Sequence, residues 1–245
     1  MESATVSTRE AALGDGARAS EHLAQAIERS SWTPADPGPL GLAGFAMTTF
    51  VLSMFNSQLV STAGESVVFG LAFAYGGVAQ LLAGMWEFRT GNTFGAVAFS
   101  SFGAFWLSLF VFDVFFLGSV PAADVGHAAG LYLWAWAIFT TYMFVASLRT
   151  TAAVALVFFL LAPTFVLLAI GASGDHTTVT HWGGYVGIAT AVAAWYASFA
   201  AVTNSTDSRL STARPYTPFS HPSPPPSVSP AMPVVETTPP VVASP

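Results

Sequence analysis

Few side chains in this chain can do chemistry, and those few stand in long apolar runs. Asp113 lies in Leu109-Phe110-Val111-Phe112-Asp113-Val114-Phe115, and Glu87 lies in Gly84-Met85-Trp86-Glu87-Phe88-Arg89. A carboxylate in such surroundings is costly unless it carries a proton, pairs with a cation or reaches water. Asp113 therefore reads either as a proton site or as a group that reaches the outer interface or a polar neighbour there. Residues two apart do not share a helix face, so Arg89 is a poor partner for Glu87, and Arg149 is the expected partner in a structural ion pair. The remaining polar groups in apolar sequence are neutral: Thr48, Thr49, Asn56, Gln80, Ser100, Ser101, Thr140, Thr141, Thr164 and Ser198. Some of these are expected to face a pathway or a neighbouring helix, although a bond to its own helix's carbonyl is open to every Ser and Thr. With no basic side chain deep in an apolar run, an anion would be solvated only by neutral donors and helix N-termini, which suits a small, weakly held solute.

Bond-breaking chemistry finds no comparable set. The chain has no Gly-x-Ser-x-Gly, His-Glu-x-x-His, Walker or dinucleotide glycine pattern, and its one compact polar cluster is Ser173-Gly174-Asp175-His176. The absence of cysteine removes thiolate catalysis, disulfides, iron-sulfur clusters and Cys-ligated zinc. The expectation is a protein that is not an enzyme and has no cofactor and no metal. All seven basic residues are Arg and the net charge is −6, so a nucleic-acid footprint is excluded.

The elements that must position these residues follow from composition. Of 245 residues, 53% are hydrophobic and only 8% charged, a membrane composition. Six apolar segments recur at about Leu40 to Val60, Ser66 to Phe88, Asn92 to Leu117, Asp124 to Leu148, Thr151 to Gly171 and His181 to Val202. Each reaches the roughly 20 residues that cross a ~30 Å hydrocarbon core. Short polar or Gly-rich joints predict antiparallel neighbours. The fold class is thus an all-α integral membrane protein of six transmembrane helices. Arg9, Arg18 and Arg29 precede the first span, Arg89 and Arg149 lie in alternate joints, and Arg209 and Arg214 follow the last, so all seven fall on one side. The positive-inside rule then places both termini in the cytoplasm.

Three regions result: an N-terminal tail over 1–35, a membrane domain over 36–203, and a Pro/Ser/Thr-rich tail over 204–245. Eleven of the sixteen prolines lie from Pro215 onward, and the tail is expected to be a disordered tether. Nothing near the N-terminus resembles a cleaved secretory signal, and Leu23, Ala24 and Ile27 give one short apolar stripe. Gly91 with Gly95, Gly126 with Gly130 and Gly183 with Gly187 are small-xxx-small pairs that predict close helix packing. Trp86, Tyr132, Trp134 and Trp182 fall near span ends, where aromatic anchors belong.

Two stretches carry a specific signature. Asp36-Pro37-Gly38-Pro39-Leu40-Gly41-Leu42 opens the first span. Tyr75-Gly76-Gly77-Val78-Ala79-Gln80 and then Gly84-Met85-Trp86-Glu87-Phe88-Arg89-Thr90-Gly91-Asn92-Thr93-Phe94-Gly95 run from the second span into the third, followed by Gly103-Ala104-Phe105-Trp106-Leu107. Over roughly residues 36–203 the chain resembles the acetate uptake transporter family, which includes bacterial acetate/succinate permeases and fungal acetate and ammonia-export-related proteins. The resemblance implies a six-helical fold, a homo-hexamer in which each protomer has its own route, and movement of acetate and related short monocarboxylates, sometimes succinate. Proton-coupled and channel-like transport both stay open, as do an ammonium or small-solute route and a non-transporting scaffold or sensor that uses the Pro-rich tail. The implied location is the cytoplasmic membrane.

By the same resemblance, Asp36, Pro37, Pro39, Leu40, Gly41, Leu42, Glu87, Gly91 and Asn92 are motif positions. The family usually has Asn and Ala where this chain has Asp36 and Gly38, and Asp36 adds a charge that would repel a carboxylate. Phe45, Phe102 and Leu161 match a narrow hydrophobic constriction, with Phe102 standing where the family has Tyr, and Leu161 and Ala194 match positions that bear on solute size. Depth agrees: Phe102 and Leu161 each lie about 15 Å from the cytoplasmic ends of their spans, and Phe45 about 9 Å beyond Pro39. Thr48, Gln80, Asn92 and Ser101 are the candidate polar contacts along the route.

Overall fold

The computed structural model describes residues 34–206, together with Arg18 and residues 20–23. The remaining parts of both tails, including most of the Leu23, Ala24, Ile27 stripe and the Pro-rich segment, lie outside the described residues. Among the described residues, six helices are long and apolar enough to cross a membrane: α1 Gly38–Asn56, α2 Val67–Thr90, α3 Thr93–Ser119, α4 Val125–Ser147, α5 Ala152–Ser173 and α6 Thr177–Thr206. The last begins four residues before the expected His181, so the α5–α6 joint is a tight turn in which Asp175 takes a left-handed φ of 52°. Alternation puts the α2–α3 and α4–α5 joints, which carry Arg89 and Arg149, at the same end as the start of α1 and the close of α6. This is the arginine end.

Local chemistry explains the boundaries at that end. Pro37 and Pro39 occupy the opening turn of α1, where a helix leaves backbone N–H groups unused, and Asp36 Oδ1 accepts from Gly38 N at 2.8 Å. Gly91 closes α2 with φ 80°, and Asn92 then caps α3 by accepting from Gly95 N at 3.1 Å. Gly91 is therefore a helix stop, with open space around it, rather than half of a packing pair. Thr151 caps α5 in the same way, accepting from Val154 N at 3.3 Å.

The helices close into a bundle in which α1 lies between α6 and the middle of α2, while α5 joins α6 to α4. Where α1 meets α6, a Cβ on Gly184 would collide with the backbone of Asn56 and Ser57. Where α1 meets α2, the latter widens into a π-helical segment over Ala74–Ala79, and a Cβ on Gly44 would lie 2.6 Å from Tyr75 O. Such π segments recur at functional sites. Helices α3 and α4 meet chiefly through rings: Phe105 with Tyr132 and Trp136, and Phe102 with Trp136 and Phe139. Tyr132 is consequently not an interfacial anchor. Its hydroxyl donates to Phe105 O at 2.9 Å and lies 2.7 Å from Ser108 Oγ, tying α4 to α3. Trp86, Trp134 and Trp182 are exposed, as anchors should be.

Candidate solute pathway

Two chambers enter the bundle from opposite ends. The chamber at the arginine end has a volume of about 790 Å³ and is lined near its mouth by Asp36, Pro39, Asn92 and Arg149. It narrows onto Phe45, Gln80, Phe102 and Leu161. The chamber at the other end, about 860 Å³, is lined by Asn56, Gln58, Glu65, His127, Asp175 and His181, among others. Burial pushes the Glu65 carboxyl above its ordinary range.

A buried apolar cluster adjoins the arginine-end chamber. Phe45, Phe102, Leu161 and Ala194 come from α1, α3, α5 and α6, are all buried, and belong to one hydrophobic cluster. Phe45 and Phe102 meet at a ring separation of 5.7 Å. Phe102 also touches Trp136, Phe139, Phe158 and Phe165, the last in a stacked arrangement at 6.2 Å. Phe158 and Phe165 escaped the sequence reading, although their three- and four-residue spacing from Leu161 puts all three on one stripe of α5.

The neutral polar groups divide by position. Gln80 is 1% exposed and lines the arginine-end chamber, with Oε1 lacking a partner. Asn92 sits at that chamber's mouth and is occupied as a helix cap. Ser101 lines neither chamber. Thr48 is fully buried on α1 three residues past Phe45 and donates to Gly44 O at 2.9 Å. Farther along, Thr164 and Thr190 donate to Leu160 O and Val186 O, with their own oxygens 3.4 Å apart. Thr190, missed from the sequence, is marked only by the neighbouring Gly187, whose bare backbone makes room for Ser53 and Thr164.

The motif residues form a second, smaller cluster at the arginine end. Gly41 gives its place to the Phe99 ring, against which a Cβ would lie 2.6 Å away, and Pro39 O accepts from Ser198 Oγ of α6 at 2.7 Å. Leu42 faces the chamber and Leu40 is exposed. Glu87 does not form the expected ion pair with Arg149. It is 2% exposed, and its Oε2 accepts from Thr90 Oγ1 at 3.1 Å. The reason is geometric: Glu87 turns inward against Gly95, Asn92 and Gly38, while Arg149 lines the chamber. Asp113 is half-buried in a π-helical segment of α3 and interacts electrostatically with Glu65.

Two chambers that enter a membrane-length bundle from opposite ends, with buried uncharged side chains inward of them, suit passage of a small solute. Comparison with known proteins agrees with that architecture. The chain is 44% identical over 187 residues to Accumulation of dyads protein 2 of Saccharomyces cerevisiae, covering 74% of this chain and 66% of that protein, just under two thirds of its length. It is 40% identical over 219 residues to Acetate permease A of Emericella nidulans, covering 83% of this chain and 73% of that protein. A solved structure, that of the bacterial acetate channel SatP, superposes with a TM-score of 0.66 at 35% identity, covering 70% of this chain and 94% of that one. The sequence pattern of the GPR1/FUN34/yaaH family matches residues 21–218. With its six membrane-length helices, this multi-pass membrane protein belongs to the GPR1/FUN34/yaaH family.

Proposed function

We propose that the chain is a permease for acetate and related short monocarboxylates, with succinate near its upper size limit. The observation that supports this reading is the buried apolar cluster of Phe45, Phe102 and Leu161 in a bundle that one chamber enters from each end. A free carboxylic acid titrates near ~4.3, so the solute is mostly anionic at neutral pH and needs either a proton partner or a favourable gradient. The wide chambers admit a hydrated ion, and the section between them passes only something small enough to move among rings and hydroxyls. The names of the fungal permease and of the solved bacterial channel support acetate as the solute.

The arginine end faces the cytoplasm, which puts both termini there and the Glu65, His127 and Asp175 chamber outside the cell membrane; Arg89 and Arg149 at one end support this under the positive-inside rule. Residues 36–203 are the transporting unit. The protein assembles as a hexamer whose protomers each carry a separate route.

Uptake of labelled acetate into proteoliposomes, with an inward proton gradient and with that gradient collapsed, tests the reading. Uptake above empty liposomes is expected. Loss of uptake on collapse assigns proton coupling, and its persistence assigns channel-like passage. Folded protein that moves no acetate under either condition would overturn the proposal in favour of an ammonium route or a scaffold.

A further inference from the structure

We propose that the solute is recognised inside the bundle as the neutral carboxylic acid, at one level formed by Thr48, Trp106, Thr164 and Thr190. Passage of the acid rests on the permease reading; the match of this level to an uncharged group with one donor and one acceptor does not. Each residue stands one turn farther from the arginine end than a member of the buried apolar cluster. Thr48 is three residues past Phe45 on α1, Trp106 four past Phe102 on α3, Thr164 three past Leu161 on α5, and Thr190 four before Ala194 on the oppositely running α6. All four are buried, none more than 4% exposed.

The hydroxyl protons at this level are already engaged. Thr48 Oγ1 donates to Gly44 O at 2.9 Å, Thr164 Oγ1 to Leu160 O at 2.8 Å and Thr190 Oγ1 to Val186 O at 2.8 Å. A hydroxyl has one proton and two lone pairs, so each of these oxygens offers the interior acceptors only. Thr164 and Thr190 carry the consequence, their oxygens 3.4 Å apart while both protons serve their own helices. The donor among the four side chains is the indole of Trp106, whose Nε1 is buried with no partner. Its edge faces Thr48 across the bare backbone of Gly76, in the π-helical segment of α2. A Cβ there would lie 2.6 Å from Thr48 Oγ1 and 2.9 Å from Trp106 Cδ1, the carbon bonded to Nε1. An orphaned buried donor is costly, and a ligand that accepts from it removes the cost.

One donor beside three acceptors complements a protonated carboxyl, whose carbonyl oxygen accepts from Trp106 and whose O–H donates to a threonine. A carboxylate fits poorly, because it has no proton for the threonine oxygens and turning a hydroxyl toward it breaks a bond to a carbonyl. Among the described residues, the one buried ionisable side chain is Glu87, at the arginine end, so no charge at this level compensates an anion. A charge taken out of water without a partner neutralises instead. At pH 7 roughly one carboxylic acid molecule in 500 carries its proton, so the neutral form is always on hand. The step balances without a side chain. In one chamber a proton from water adds to a carboxylate oxygen and forms the O–H bond; in the other that bond breaks and the proton returns to water. Each monocarboxylate thus crosses with one proton and no net charge.

The test places the purified full chain in proteoliposomes holding a pH-sensitive dye, records current across the same membranes, and adds acetamide, an uncharged molecule of acetate's size with a carbonyl acceptor and an N–H donor. For wild type, an acetate gradient should acidify the lumen faster than in empty liposomes and drive no acetate current. Labelled acetamide should enter and should slow the acidification. Trp106→Phe keeps a ring and removes the N–H, and is expected to slow both acidification and acetamide entry roughly five- to tenfold, about the worth of one hydrogen bond. Thr164→Val should act likewise, and Thr164→Ser should restore most of the rate. Wild-type rates in both Trp106→Phe and Thr164→Val would overturn the site. An acetate current, with uptake that follows an imposed membrane potential, would overturn passage of the neutral acid and leave a permease standing. Folded protein that passes neither acetate nor acetamide would overturn the permease reading and this inference together.

Discussion

Phe45 and Phe102 pack against each other where they line the arginine-end chamber, their ring centroids 5.7 Å apart and their planes tilted by 56°. Both are nearly fully buried, and neither can swing aside without moving rings on α4 and α5 that also touch Phe102. Truncating Phe45 opens the chamber toward Thr48, while Phe102 keeps its remaining ring contacts. Phe45→Ala is expected to raise acetate flux severalfold in proteoliposomes and to cost at most about 3–5 kcal/mol of stability, the range for a large-to-small change in a packed site. Unchanged flux in folded protein would remove Phe45 from the closure.

Leu161 and Ala194 belong to the same buried cluster as Phe45 and Phe102, and on the permease reading they set its width. Ala194 has no exposed surface, so a larger side chain there must displace its neighbours. Ala194→Leu should slow acetate and cost about 1–3 kcal/mol by overpacking. Leu161→Ala, by contrast, should let longer substrates such as succinate compete with labelled acetate more strongly than in wild type. Competition curves for a series of chain lengths check both variants, and curves that superimpose on wild type would place the selecting width elsewhere.

The sequence made the six spans legible because length and lack of charge are enough to define them. It could not show which face of each span turns inward. In a membrane the lipid-facing side is as apolar as the core, so the amphipathic period that orients a soluble helix is lost. That is why Phe158 and Phe165 went unnoticed beside Leu161, and why Tyr132, a half-buried hydroxyl bonded across the α3–α4 seam, looked like an interfacial anchor. Phe45, Phe102 and Leu161 were legible only through resemblance. The π-helical segments of α2 and α3 have no signature in residue periodicity, and the inward turn of Glu87 depends on Gly38 and Gly95, which are distant from it in sequence or on another helix.

The Tyr132 hydroxyl makes a prediction of its own. It donates to a carbonyl on α3, at Phe105, and lies against Ser108 Oγ, whereas backbone contact between α3 and α4 is sparse. Tyr132→Phe keeps the ring stack on Phe105 and deletes only these bonds. The expected loss is about 1 kcal/mol, the net worth of a typical hydrogen bond, read as a small fall in melting temperature in detergent. Transport at temperatures well below the melt should be nearly unaffected. A large loss of stability would mean that the hydroxyl holds more of the seam than these bonds account for.

Glu65 gives the pH dependence a definite sign. It lies in the joint before α2, lines the chamber opposite the arginine end, and has its carboxyl raised above the ordinary 4.5 by burial. A carboxyl raised on folding binds more protons in the native state than in the unfolded chain between those two values. Stability therefore falls as pH rises through that window and stays lower above it. Glu65→Gln removes the buried charge, so the variant should melt at a higher temperature than wild type near neutral pH. Below about pH 4.5, where wild-type Glu65 is protonated in both states, the two melting temperatures should converge. Melting curves in detergent across that range decide the matter. A difference that persists unchanged in acid would trace the effect to packing rather than to the proton.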